Sequence, residues 1–174
     1  MKGYVKAALY VYPLLKTVEK DYEEHILNRA ILSYRSNQGA AELAEYIAGE
    51  IVEKRNLLWL RECVERVVEQ LSDVEKTLIN VRYFRLGKER KRSTVNVGLQ
   101  RLREQKVASS ERQYFRLQSR LLDKLSLLFT AQGLDKETFE RTFQNTAIFQ
   151  SVYAYIRLGK DGKLSQRERR WLGA

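Results

Sequence analysis

The scarcity of proline is the feature that most restricts this fold. In 174 residues there is one proline, Pro13, while apolar residues recur every three or four positions over long stretches. Proline disrupts helix interiors, and this spacing is typical of amphipathic helices. The chain is 44% hydrophobic and 31% charged, which is unlike a disordered protein. The sequence therefore predicts an all-α protein.

Two serines mark helix starts in the middle of the chain. Ser72 precedes Glu75 and Ser110 precedes Gln113 with the spacing of a capping box. In this motif the serine hydroxyl and the side chain three residues later each accept a backbone N–H that the helix leaves unpaired. Helices are therefore predicted to begin at Asp73 and Glu111.

The complete pattern predicts a long N-terminal helical hairpin, then a helix-turn-helix, then a C-terminal helix that packs back on the hairpin. Residues 4–11 are left open as a short helix or a strand. Three domains follow: 1–71, a helical hairpin interaction module; 72–131, a helix-turn-helix region; and 132–174, a C-terminal helix and basic tail. The predicted helices span residues 13–34, 40–71, 73–86, 95–106, 111–131 and 135–158, with a short basic helix after Ser165.

Charge is distributed unevenly along the chain. The net charge is +10, with −3 over residues 1–75 and +13 over residues 76–174. Such an asymmetry favours a polyanionic partner for the second part of the chain. A highly charged, solvated helical surface is the alternative explanation.

The predicted helix 111–131 carries the candidate DNA-binding residues. Arg112, Gln113, Arg116 and Arg120 share one flank, whereas Phe115, Leu122, Leu125 and Phe129 are expected to face the core. Arginine pairs with guanine and glutamine with adenine in the major groove, and the Ser110 hydroxyl at the helix start could contact a phosphate. A solvated arginine-rich face would give the same spacing. A second candidate is a phosphate-contacting loop formed by Lys88, Arg90, Lys91 and Arg92.

Two motifs resemble a known family. The first is Leu71-Ser-x-x-Glu75 leading to Arg82-Tyr-Phe84, and the second is Ser110-Glu-Arg-Gln-Tyr-Phe-Arg116. Both are similar to the C-terminal, region 4-like helix-turn-helix of sigma factors, and more closely to ArpU-like phage late transcription regulators. The resemblance covers about residues 71–128. It implies a sequence-specific transcriptional regulator that binds DNA, of phage or mobile-element type, with RNA polymerase as a partner. Between Phe84 and Ser110 lie 25 residues, more than the family usually has.

Other functional classes have less support. His25 is the only histidine and Cys63 the only cysteine, so we expect no metal, no cofactor and no catalytic site. The absence of a long apolar run predicts no membrane span, and the single cysteine and lack of a signal peptide fit a cytoplasmic protein. A helical adaptor that binds nucleic acid non-specifically is the alternative function. Whether the chain forms a homodimer stays open.

Overall fold

The predicted all-α class is confirmed. The computed structural model describes residues 3–34, 39–84, 94–108 and 110–158, and within these ranges every regular element is a helix. The elements in chain order are α1 (Gly3–Val11), a 3-10 turn (Tyr12–Leu14), α2 (Leu15–Tyr34), α3 (Ala40–Glu69), α4 (Asp73–Arg82), α5 (Thr94–Glu104), α6 (Glu111–Ala131), α7 (Lys136–Phe143) and α8 (Ala147–Leu158).

The short segment left open by the sequence, residues 4–11, is the helix at the centre of the molecule. In α1 the side chains of Val5, Leu9 and Val11 are fully buried. This helix contacts α3, α6, α7 and α8, and Tyr4 bonds to Ser126 of α6 with 3.0 Å between the oxygens. One hydrophobic cluster joins it to all the later helices, so the core draws residues from each of the three predicted domains.

The N-terminal hairpin is confirmed as α2 packed against α3. Its base is apolar, with Val18 and Tyr22 of α2 and Leu57 and Leu60 of α3 buried. An ion pair from Arg61 Nη1 to Glu19 Oε2, 2.5 Å, crosses the two helices beside this core. The base of the hairpin is therefore part of the body of the protein.

The predicted C-terminal helix 135–158 is wrong as a single element, because α7 and α8 are separate. Asp135 caps α7 by accepting the Thr138 N–H at 2.7 Å, and α7 ends at Phe143, with Gln144 as its C-cap. The break allows Phe149 of α8 to lie 5.0 Å from Phe139 and 5.1 Å from Phe143, measured between ring centroids. Phe143 also stacks on Trp59 of α3 at 6.3 Å, so the expected contact with the hairpin is present at this point. The main neighbour of α8 is α1.

The Arg-Tyr-Phe sequence that ends α4 connects the second part of the chain to α1. The helix ends at Arg82, four residues before the predicted end. Tyr83 is buried against Tyr10, with ring centroids 4.9 Å apart, and Phe84 lies 4.8 Å from the ring of Tyr12. Burial raises the pKa of Tyr83 to about 12, so its phenol is neutral at physiological pH. These rings attach α4 to the segment that leads into the hairpin.

Candidate nucleic-acid interface

Three helices, α4, α5 and α6, form a unit in which α5 packs against both of the others. Both predicted capping boxes are present. Ser72 Oγ accepts the Glu75 N–H and Ser110 Oγ accepts the Gln113 N–H, and in each case the third-position side chain returns to the serine N–H. The starts of α4 and α6 are therefore set by residues that the sequence identifies.

A close contact fixes the distance between α5 and α6. Gly98 of α5 faces Tyr114 of α6, and a Cβ at position 98 would lie 2.5 Å from Tyr114 Cε2. That separation is far below van der Waals contact, and Tyr114 is fully buried, so the ring cannot move aside easily. Glycine at this position lets the two helices approach each other.

A partly buried chain of polar side chains orients α6 on α4. Arg82 Nη1 donates to Gln118 Oε1 at 2.5 Å, and Gln118 Nε2 donates to the Tyr114 hydroxyl at 2.8 Å. Burial raises the pKa of Tyr114, and the nearby Arg82 guanidinium offsets part of that increase. Because buried polar groups are costly when unpaired, this chain favours one rotation of α6 about its axis.

A second link uses the capping residue of α4. Glu75, whose side chain accepts the Ser72 N–H in the capping box, also accepts two hydrogen bonds from Lys124 Nζ of α6, at 2.8 and 3.0 Å. Burial by itself raises the pKa of Glu75, but the bonds from Lys124 and Ser72 outweigh it, and the pKa lies below its ordinary 4.5. The carboxylate thus stabilises the folded state when ionised.

We expect Glu75→Gln to keep the cap but lose the ion pair. At neutral pH the variant should be less stable by about 0.2–1 kcal/mol, as for partly exposed pairs. Because the folded-state pKa of Glu75 is lowered, its contribution is complete above pH 4.5 and is lost as the pH falls through that lowered value. Urea unfolding of both proteins at several pH values should show the difference shrinking in acid. An equal difference in the free energy of unfolding at every pH would exclude the ion pair as its cause. The control is Glu42→Gln, which makes the same change at an exposed glutamate.

The turn between α5 and α6 is a Schellman motif with an unusual residue. The N–H of Val107 donates to the Leu102 carbonyl at 2.9 Å and that of Lys106 to the Arg103 carbonyl at 2.9 Å, and Lys106 has φ +57°. The end of α6 repeats the same pair of bonds with Gly133 at φ +80°. A lysine in this left-handed position carries a strain that glycine avoids. The turn thereby places a cation beside the start of α6.

The buried face of α6 differs from the predicted one. Phe115, expected in the core, is 47% exposed, and Tyr114 occupies the core in its place. Leu125 and Phe129 are buried as predicted, and Leu122 is half-buried. The buried stripe is Tyr114, Gln118, Leu121, Leu125 and Phe129.

The outer face of α6 carries the predicted arginines. Arg112, Arg116 and Arg120 are all exposed at four-residue intervals, with the Phe115 ring among them. Beside the start of the helix, an open depression of about 250 Å³ is lined by Arg103, Lys106, Val107, Ala108 and Gln113. Arg103 and Lys106 were not singled out from the sequence, since their proximity to α6 follows from the turn geometry.

The remaining predicted site residues have different outcomes. Gln113 is exposed, but its side-chain oxygen accepts the Ser110 N–H at 3.3 Å, so its carbonyl already has a capping role. Lys88, Arg90, Lys91 and Arg92 lie outside the described residues, as does the basic tail after Ser165. The phosphate-contacting loop therefore stays a prediction.

Neither a metal-binding cluster nor a membrane-spanning helix is found in the described residues. No group of three or more His, Cys, Asp or Glu in them could hold a metal ion. His25 lies at the surface of the hairpin, 3.3 Å from Glu50 Oε2 and 3.2 Å from the Tyr46 hydroxyl. Across the same described ranges, none of the helices combines the length and apolar character needed to span a membrane.

Comparison with protein-family models, curated proteins and solved structures finds no match for this chain. The two motifs remain a resemblance, and the assignment of function depends on the geometry of α4–α6.

Proposed function

We propose that the α4–α6 unit binds double-stranded DNA as a helix-turn-helix, with α6 in the major groove, and that the protein regulates transcription. One observation carries the proposal. The face of α6 opposite its buried Tyr114–Gln118 side exposes Arg112, Arg116 and Arg120, and the helix is held at a fixed rotation. Recognition helices in this class read bases with the residues of their first turns.

Each residue on this face has a distinct proposed role. Arg112 and Arg116, in the first two turns, are assigned to guanine edges, whereas Arg120, farther along, is assigned to a phosphate. Arg103 and Lys106, which lie on the other side of the turn, would contact the sugar-phosphate backbone of the DNA. The Ser110 oxygen accepts a backbone N–H, so its hydroxyl proton can still be donated to a phosphate. Gln113 is assigned to the cap instead of to adenine.

Site selection from a random DNA pool tests the proposal directly. We expect a defined motif, against which Arg112→Ala and Arg116→Ala each cost about 1–3 kcal/mol and relax preference at particular base pairs. Arg141→Ala is the matched control, because Arg141 is an exposed arginine of α7, outside this unit. A uniform loss across all sequences, or full competition by a scrambled duplex, would instead support the non-specific adaptor.

Phe115 supplies a second, independent test of the major-groove contact. An exposed phenylalanine between arginines fits an apolar contact with the methyl group of thymine. Replacing that thymine with deoxyuridine removes one methyl, and we expect about a fourfold loss of affinity, since a buried methylene is worth about 0.8 kcal/mol. Phe115→Ala should bind both duplexes equally. If the variant retains the full preference for thymine, Phe115 does not contact the methyl.

The resemblance also implies a contact with RNA polymerase, which we assign to the hairpin. This contact with RNA polymerase rests on the resemblance alone and stays a prediction. A homodimer on paired DNA half-sites and a cytoplasmic location also stay predictions.

A further inference from the structure

The outer part of the hairpin has no hydrophobic core of its own. We define the arm as residues 23–32, which belong to α2, together with residues 39–56, which comprise Gly39 and the first part of α3. None of these residues is buried. Its two helices are joined largely by polar contacts. Lys54 Nζ donates to Glu23 Oε1 at 2.6 Å, and the Arg29 guanidinium lies 5.1 Å from the Tyr46 ring centroid. Helices in proteins are stabilised mainly by packing an apolar face, so a partner surface would stabilise the arm.

Among the described residues, the large hydrophobic side chains that are exposed lie on two surfaces. The first is the arm, and the second is the basic face, defined as residues 94–108 and 110–131, which comprise α5, the turn and α6. Nine large hydrophobic side chains are exposed among the described residues, and all nine fall on one of these two surfaces. They are Leu27, Ile31, Leu32, Tyr46, Ile51 and Val52 on the arm, and Val107, Phe115 and Leu127 on the basic face.

The two surfaces have opposite charges. The arm contains six acidic and three basic residues, a net charge of −3, and the basic face contains three acidic and seven basic residues, a net charge of +4. Pairing two arms or two basic faces would bring like charges together around the apolar side chains. Pairing an arm with a basic face neutralises most of the charge while covering apolar surface on both.

We propose that the arm of one copy of this protein docks on the basic face of a second copy. The contact is heterologous, since each copy contributes a different surface, and each pair leaves one arm and one basic face available for further copies. The contact itself does not require the proposed DNA function. If the basic face also binds DNA, the docked arm covers Arg112, Arg116 and Arg120, so DNA and self-association compete for the same surface.

Charge reversal on the full chain tests the contact. Analytical ultracentrifugation of the wild type should show a mass that rises with concentration and falls when salt is added. Glu42→Lys with Glu45→Lys on the arm, or Arg112→Glu with Arg116→Glu on the basic face, should each weaken association at least about tenfold, because like charges are then opposed. Glu62→Lys with Glu69→Lys makes the same charge change on exposed residues of α3 outside the arm and should have little effect.

Mixing identifies the geometry of the contact. Each double variant retains one intact surface, so the two variants mixed together should associate although neither does so alone, and circular dichroism should show that both are folded. A wild type that stays monomeric at all concentrations would overturn the proposal. So would association that survives Arg112→Glu with Arg116→Glu, since that would indicate pairing of two arms. A failure of DNA binding, by contrast, would leave this result unaffected.

Discussion

Leu9→Ala is expected to lower the free energy of unfolding by about 2–5 kcal/mol, the range for large-to-small changes in well-packed cores. Leu9 is fully buried in α1, which contacts four of the other helices. The loss should appear in a single cooperative transition, because one hydrophobic cluster includes α1 and the α4–α6 unit. Denaturant unfolding followed by circular dichroism measures it.

The control for this experiment is the same substitution at an exposed leucine. Leu27 of α2 is 61% exposed, so Leu27→Ala should change stability by no more than about 0.5 kcal/mol. If the two variants lose equal stability, α1 is not the centre of the core. If Leu9→Ala unfolds α1 and α8 first and leaves α4–α6 folded, the α4–α6 unit is an independent domain.

DNA affinity is expected to fall about 500-fold between 50 and 200 mM salt, for about five phosphate contacts and a log–log slope near −4.5. The described cations assigned to phosphates are Arg103, Lys106 and Arg120, and the predicted loop of Lys88, Arg90, Lys91 and Arg92 would supply the other contacts. Fluorescence anisotropy on one duplex over a salt series measures the slope.

Single variants then identify which cations contribute to the slope. Arg120→Ala should reduce its magnitude by about one, because one counterion fewer is released. Arg141→Ala should leave it unchanged. An affinity that does not respond to salt would exclude a contact with the phosphate backbone and, with it, the DNA-binding proposal.

Local signals in the sequence predicted helix starts well, but they predicted the wrong face of α6 for Phe115. Ser72 and Ser110 fix their helices because a capping box is complete within four residues. In the structure the neighbouring Tyr114 is fully buried, and Phe115 is 47% exposed. The buried stripe contains a polar residue, Gln118, whose partner Arg82 is 36 positions away, and such a pairing leaves no periodic trace.

The break in the C-terminal helix and the central position of α1 escaped prediction for related reasons. The break between α7 and α8 contains neither proline nor glycine, so the sequence gives little sign of it, and it becomes favourable only when Phe149 can pack on Phe139 and Phe143. The central position of α1 depends on long-range contacts such as Tyr4 with Ser126, 122 positions apart. Helix periodicity describes one face of one segment and cannot report such partners.

The burial of α1 also has a consequence for synthesis of the protein. Its partners in α6, α7 and α8 leave the ribosome long after it does, as the 122-residue separation of Tyr4 and Ser126 indicates. During that interval an apolar helix with Val5, Leu9 and Val11 has few surfaces to cover it, and exposed apolar segments of nascent chains favour aggregation. The core around α1 can therefore be completed only after α8 has emerged, and α1 is the segment that a chaperone would protect until then.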